Sequence, residues 1–300
     1  MRLPGIVDVR LAHRARVSLE AVAAVRGLTP AVVITGGSKG IGLALAKRFA
    51  KTGKPVAIVA RGAEALSLAV DEIAAATGQR PLAIPLDITV EDSGAQIDKA
   101  LLAADLYLDI LVNCAGMGLS GRFAEQETAD IERLIALNIS TLTRLTHHAV
   151  GSMSPRGRGG IINVASFAGF VPGPYQAMYY ASKAFVISLS QSLAQEEAGT
   201  GVRITAVAPG PVDTDFHADM GAENALYRRL PMSMSADAVA ASIYRGYSMG
   251  HRLIVPGLLN RALAAVIGVF PYPVIAPVMS WLLWPGERDV ESPTDKPDSK

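Results

Sequence analysis

From residue 29 onward the chain alternates two hydrophobic patterns. Short, almost continuously apolar runs occur at 31–35 (AVVIT), 55–60, 81–87, 109–113, 160–166, 202–209 and 252–256. Between them lie amphipathic stretches with helical spacing, at 41–51, 63–77, 92–104, 128–152, 177–197 and 235–249. A strand that is apolar along its whole length is buried on both faces, which predicts an α/β protein with a parallel sheet covered by helices on either side. Right-handed crossovers then give a doubly wound, Rossmann-type sheet, with ligands expected beyond the carboxyl ends of the strands. No internal repeat or mid-chain linker interrupts 29–257, so that span reads as one domain.

The two ends break the alternation. Residues 1–28 carry Arg2, Arg10, Arg14, Arg16 and Arg26, which interrupt every apolar run and argue against a secretory signal. This arm is expected to pack on the domain or a partner subunit, with a peripheral membrane contact as the other reading. Residues 262–284 contain no charged side chain. The length approaches the roughly 20 residues of a membrane span, but Pro271, Pro273 and Pro277 disfavour a straight helix. Two short apolar helices bent at the prolines fit better. Segment 258–284 is thus an apolar extension that would cover a lipophilic pocket, a subunit interface or a membrane surface, with Trp281 and Trp284 at headgroup level in the last case. The polar stretch 285–300 reads as a disordered tail.

Composition narrows the function classes. Half of the 300 residues are hydrophobic and 18% are charged, which excludes an intrinsically disordered chain. The formal net charge of +1 offers no basic field for nucleic acid, so no nucleic-acid partner is expected. A lone cysteine, Cys114, excludes an intramolecular disulfide and a cysteine-built zinc site. It favours a reducing compartment, here the cytoplasm with or without contact at a membrane surface. The adjacent His147 and His148 point about 100° apart on a helix and have no accompanying carboxylate cluster, so no metal site is expected.

The strand ends carry the candidate chemistry. After the first run comes Thr35-Gly36-Gly37-Ser38-Lys39-Gly40-Ile41-Gly42, a glycine-rich turn opening a helix, as a pyrophosphate requires. The second run ends at Ala60-Arg61, where an acid would hold the ribose hydroxyl of NAD and an arginine suits the 2′-phosphate of NADP; Lys39 adds a second cation. Asp87, followed by Ile88, is placed to accept a hydrogen bond from adenine. Asn113, Cys114, Ala115 and Gly116 close the fourth run, with Cys114 read as a small buried side chain rather than a nucleophile. Ser166 ends the fifth; Tyr179 follows 13 positions later and Lys183 four beyond that. On a helix those two share a face, where the ammonium, with a positive nicotinamide ring, would lower the phenol pKa. Met220, Met232 and Met234 suit an adaptable apolar wall within a substrate-closing segment at 215–234.

These motifs together resemble the short-chain dehydrogenase/reductase family. TGGSKGIG, the LDIT acid, NCAG, Asn138 in LNIS, Ser166, YYASK and PGPVDT appear in family order across residues 29–257. The resemblance implies Tyr179 as general acid/base, Ser166 as orienting donor, Lys183 on the nicotinamide ribose and Asn138 holding a proton-relaying water. It also implies that Pro209, Gly210, Val212 and Thr214 line the nicotinamide and that Lys39 with Arg61 mark an NADP(H)-preferring member. Tyr180 lacks the four-residue step to Lys183 and should point elsewhere. The phrasing around ASKAFV is similar to 17-beta-hydroxysteroid dehydrogenases and long-chain 3-oxoacyl-CoA reductases, which implies a small lipophilic carbonyl substrate. Homo-oligomers through the helices at 128–152 and 177–197 are a further expectation from the family. The rival readings are a non-catalytic NADP(H)-binding scaffold and a membrane-associated lipid-processing reductase.

Overall fold

The computed structural model describes residues 17–222, 225–229, 233–267 and 270–285. The strands are β1 Thr29–Thr35, β2 Val56–Ala60, β3 Leu82–Pro85, β4 Leu106–Asn113, β5 Gly159–Val164, β6 Val202–Val207, β7 Val212–Asp213, β8 Met234–Ser235 and β9 Leu253–Ile254. The helices are α1 Leu19–Ala23, α2 Gly40–Ala50, α3 Ala63–Thr77, α4 Ser93–Leu102, α5 Thr128–Ile135, α6 Leu142–Arg156, α7 Ala177–Glu196, α8 Phe216–Asp219, α9 Ala236–Ser248, α10 Leu258–Ile267 and α11 Tyr272–Leu283. Seven strands form one sheet in the order β3-β2-β1-β4-β5-β6-β9, all parallel, while β7 and β8 make a separate two-stranded ribbon. The expected doubly wound sheet is therefore present, and its order reverses between β1 and β4, where such folds open a crevice.

Period-two alternation sends each strand's side chains to two separate cores. Val32 and Ile34 pack with Phe49 of α2, Ile73 of α3 and Ile243 of α9 on one face. Ala31 and Val33 meet Leu101 of α4, Met153 of α6 and Ala194 of α7 on the other. In β4 the alternation slips: Leu108 and Leu111 share a face because the pairing with β1 shifts by one residue between Ala31 and Val32. The extra residue is Asp109, a bulge whose carboxylate is held by Arg158 at 2.9 and 3.3 Å.

A third cluster lies above the carboxyl ends of the strands. There Tyr179, Tyr180, Met220 and Ala225 pack with Leu283 of α11, and Ile267 of α10 joins them. The extension thus folds back as two helices separated at Pro271, with Pro277 inside α11. No helix among the described residues is long and apolar enough to cross a membrane. At the other end, Ser18 before α1 donates its backbone N–H to Pro155 O at 2.8 Å, fixing the described part of the arm on α6. Residues 1–16 and the tail 286–300 lie outside the described residues.

Candidate active site

The glycine turn after β1 is held by close backbone approach. Gly36 and Gly40 adopt φ of +66° and +57°, and a Cβ on Gly42 would stand 2.2 Å from Gly36 O, so a side chain there is sterically excluded. Thr35 Oγ1 ties the turn to the next strand end, donating to Val112 O (3.3 Å) and accepting from the N–H of Cys114 (3.1 Å) and Ala115 (3.2 Å). A single large cavity of about 1530 Å³ runs from this turn along the strand ends to α10 and α11. That exceeds the roughly 300–1,000 Å³ of an ordinary ligand pocket and leaves room for a dinucleotide and a second molecule.

Nearly every residue singled out in the sequence lines this cavity: Gly36, Ser38, Lys39, Gly40, Ile41 and Gly42 of the turn, and Arg61, Asp87, Ile88, Ala115 and Gly116 along the strand ends. Ser166, Tyr179 and Lys183 line it too, as do Pro209, Gly210, Val212 and Thr214. Asn113 and Asn138 do not. Asn113 is turned into the sheet, donating to Thr146 Oγ1 (3.1 Å) and Asn163 Oδ1 (2.9 Å). Asn138 is buried behind the wall, accepting from Met117 N (2.9 Å) and donating to Met117 O (2.8 Å) and Ser182 Oγ (3.1 Å). Its amide is committed to the backbone after β4, yet a Cβ on Gly116 would lie 3.3 Å from Asn138 Oδ1 and 3.5 Å from Lys183 Nζ, so the two side chains adjoin. The local helix is unusual: Asn138 sits in a π-helical stretch, Ala136–Thr141, between α5 and α6. Such stretches concentrate at functional sites, and the uniform helix expected over 128–152 did not foresee one.

Tyr179 and Lys183 share a face of α7, the ammonium 5.7 Å from the phenol ring centroid. Lys183 Nζ donates to Val164 O at 3.0 Å. Burial lowers the Lys183 pKa to about 8, and burial raises that of Tyr179 to about 12 against a hydrogen bond from Ser166 that lowers it. In the protein by itself desolvation outweighs the Ser166 hydrogen bond; the lowering expected from the ammonium together with a positive nicotinamide ring concerns the cofactor-bound enzyme. Ser166 Oγ also accepts from Ala168 N at 3.1 Å. Burial likewise pushes the Cys114 thiol up to about 12, so it stays protonated at neutral pH.

Other expectations are amended. Tyr180 lines the same cavity, its ring 6.0 Å from that of Tyr179, rather than pointing away. Met220 forms part of the wall, but Met234 belongs to β8 and packs against the sheet core; Met232 lies outside the described residues. Lys39 donates to Asp219 Oδ2 of α8 at 2.6 Å, bridging the glycine turn and the substrate segment. Asp87 is held low chiefly by N–H and O–H bonds from Thr89, with a smaller contribution from Arg61. His148 is paired with Asp98 Oδ2 at 2.6 Å, and no metal-ligating cluster occurs among the described residues.

Residues 30–225 match the short chain dehydrogenase family model. The chain belongs to that family. Carbonyl reductase family member 4 of Xenopus laevis is 32% identical over 76% of this chain and 96% of the relative. The solved structure of a short-chain dehydrogenase from Sphingobium yanoikuyae in complex with NADPH is similar at a TM-score of 0.71. It is 32% identical and covers 87% of this chain and 99% of its own. The bulky-bulky ketone specific alcohol dehydrogenase from Comamonas testosteroni matches at 0.66, with 30% identity over 81% and 95% of the two chains. The chain is an oxidoreductase that transfers a hydride between a nicotinamide cofactor and a carbonyl or alcohol carbon.

Proposed function

We propose that this protein is an NADP(H)-dependent reductase of lipophilic ketones. The observation that carries the reading is one cavity joining the glycine turn, the Ser166–Tyr179–Lys183 set and an apolar wall from α10 and α11. Its residues fit a dinucleotide: the turn is bare of side chains where a pyrophosphate must approach, and Arg61 occupies the tip of β2 where an acid would select the unphosphorylated ribose. The relative solved with NADPH supports the same choice.

When bound, the reduced nicotinamide supplies the hydride. Tyr179, with its pKa near 12, is fully protonated at neutral pH, the form that can give a proton to a carbonyl oxygen. The Ser166 hydroxyl, which lines the cavity beside that phenol and holds its pKa down, orients the same oxygen. Lys183, with a pKa near 8, is still cationic at neutral pH and stabilises the phenolate as the proton leaves. Asn138 fixes the backbone after β4 beside the ammonium and keeps that wall in place.

Leu263, Val266, Phe270, Val274, Val278 and Leu282 present hydrocarbon to the rest of the chamber, which suits a bulky apolar ketone. The Comamonas ketone-specific relative supports this substrate class. Several of these side chains are also half exposed outside, as are Trp281 and Trp284, and we read the α10–α11 face as one that rests on a membrane surface.

Replacing Tyr179 with Phe should lower turnover of a hydrophobic ketone by about 10²–10⁴-fold. NADPH affinity should stay unchanged in a fluorescence titration. Retained turnover would refute the assignment.

A further inference from the structure

Two cations suit the 2′-phosphate of NADP, Arg61 just past β2 and Lys39 in the glycine turn, and both line the cavity. They are not equally free. Arg61 makes no hydrogen bond or ion pair among the described residues. The Lys39 ammonium is already taken: Nζ donates at 2.6 Å to Oδ2 of Asp219, a residue 180 positions further along the chain. The two side chains are 65% and 56% exposed, and an ion pair so open to water contributes little to stability. Folding alone therefore gives little reason for an acid at this place.

The carboxylate is delivered by a helix that other contacts hold down. Phe216 at the start of α8 packs its ring 5.6 Å from that of Tyr179. Met220, just past the end of α8, is buried against Gly118, where an added Cβ would stand 2.9 Å from Met220 Cε. Upstream, Thr214 lies on the glycine turn itself, its Cγ2 3.3 Å from a would-be Cβ on Gly40. Asp219 thus keeps its negative charge beside the turn whether or not Lys39 is bonded to it. A phosphate that approaches Lys39 must draw the ammonium from that carboxylate and stand near a like charge. The same nucleotide without the phosphate meets neither cost.

We propose that Asp219 is a specificity-determining residue for the cofactor: it competes with the 2′-phosphate for Lys39 and so narrows the preference for NADPH over NADH. This rests on the NADP(H) reading above and deepens it. Arg61 meets the phosphate unopposed, while Lys39 serves it only as far as Asp219 releases the ammonium.

Fluorescence titration at low ionic strength gives the dissociation constants of NADPH and NADH for the wild type, Asp219→Asn, Asp219→Glu, Lys39→Met and the Lys39→Met/Asp219→Asn double variant. The quantity read is the ratio of the two constants, because a disturbance of α8 or of the fold acts on both nucleotides alike. In Asp219→Asn the preference for NADPH is expected to rise by roughly three- to tenfold, the effect of removing one charge a few ångströms from a phosphate in water-rich surroundings. Asp219→Glu, which keeps the charge, should retain the wild-type ratio, and removing the carboxylate should change nothing once Lys39 is methionine. An unchanged or lowered ratio in Asp219→Asn overturns the proposal, as does an equal rise in Asp219→Glu. A rise that persists in full without Lys39 overturns it too, since the carboxylate would then not be competing for the ammonium. A Lys39→Met/Arg61→Met variant that binds NADPH as tightly as the wild type instead overturns the NADP(H) reading, and this inference with it.

Discussion

Lys183 stands in a place where an ammonium is poorly solvated, and the consequence is measurable without substrate. Its pKa falls from 10.5 to about 8 on folding, chiefly through burial. Between those values the unfolded chain holds a proton that the folded chain has released, so this residue makes stability rise with pH across the window. Below about pH 8 both states are protonated and the full cost of burying the charge is present. Denaturant unfolding at pH 7.5, 8.5 and 9.5 should show a more positive slope of stability against pH in the wild type than in Lys183→Met. Equal slopes would show that the ammonium is better solvated than its surroundings suggest. Tyr179 acts in the opposite sense above pH 10, where the folded phenol keeps a proton the unfolded one loses. At this scale the sequence disclosed the type and spacing of the reacting groups, since an i, i+4 pair needs only one helix. It did not disclose the sign of the Tyr179 shift or the turning inward of Asn113 and Asn138. Those follow from burial and from hydrogen bonds to Asn163, Met117 and Ser182, distant in the chain.

Elements were legible where one periodicity ran unbroken. The parallel strands announced themselves as continuous apolar runs because both faces are covered, and the site followed because their carboxyl ends define the crevice. Irregularities were hidden: the bulge at Asp109 and the π-helical stretch around Asn138 change which side chains share a face without changing composition. The β7–β8 ribbon, two residues per strand, is too short for any pattern. Glycine shows how an element decides the effect of one substitution. Gly42, at the start of α2, has Gly36 O within 2.2 Å of its would-be Cβ, whereas Gly151, inside α6, has nothing within 4 Å. Gly42→Ala should destabilise by about 1–3 kcal/mol, as overpacking against immovable backbone does, and should weaken dinucleotide binding. Gly151→Ala should stabilise by about 1 kcal/mol through helix propensity. Denaturant midpoints and cofactor titration read both, and a neutral Gly42→Ala would mean that the turn is not as closely held as its geometry requires.

For the molecule as a whole, the arrangement of α10 and α11 joins substrate to surroundings. Val266, Phe270, Val274 and Val278 are each 52–53% exposed and also line the reaction cavity, so the chamber opens through an apolar face. Leu258 is 83% exposed, Trp281 65% and Trp284 46%, extending that face past what a monomer usually leaves in water without a use. No charged residue lies between 262 and 284 and α10 carries only the exposed Arg261, so attachment through this face would come mainly from hydrocarbon burial and interfacial tryptophans rather than from attraction to acidic headgroups. That distinction fixes the expected behaviour. Wild-type protein should co-sediment with neutral phosphatidylcholine vesicles, and added salt should not release it, because screening acts on charges and not on apolar contact. A Trp281→Ser/Trp284→Ser double variant should bind at least about tenfold more weakly, since withdrawing two large aromatic side chains from the interface forfeits more than the 1.4 kcal/mol that a factor of ten represents. Its turnover of a freely dissolved ketone should persist, because neither tryptophan lines the cavity. Wild-type protein that stays in the supernatant would return the apolar face to another role, while sedimentation that salt abolishes would place the attachment on some other, charged surface.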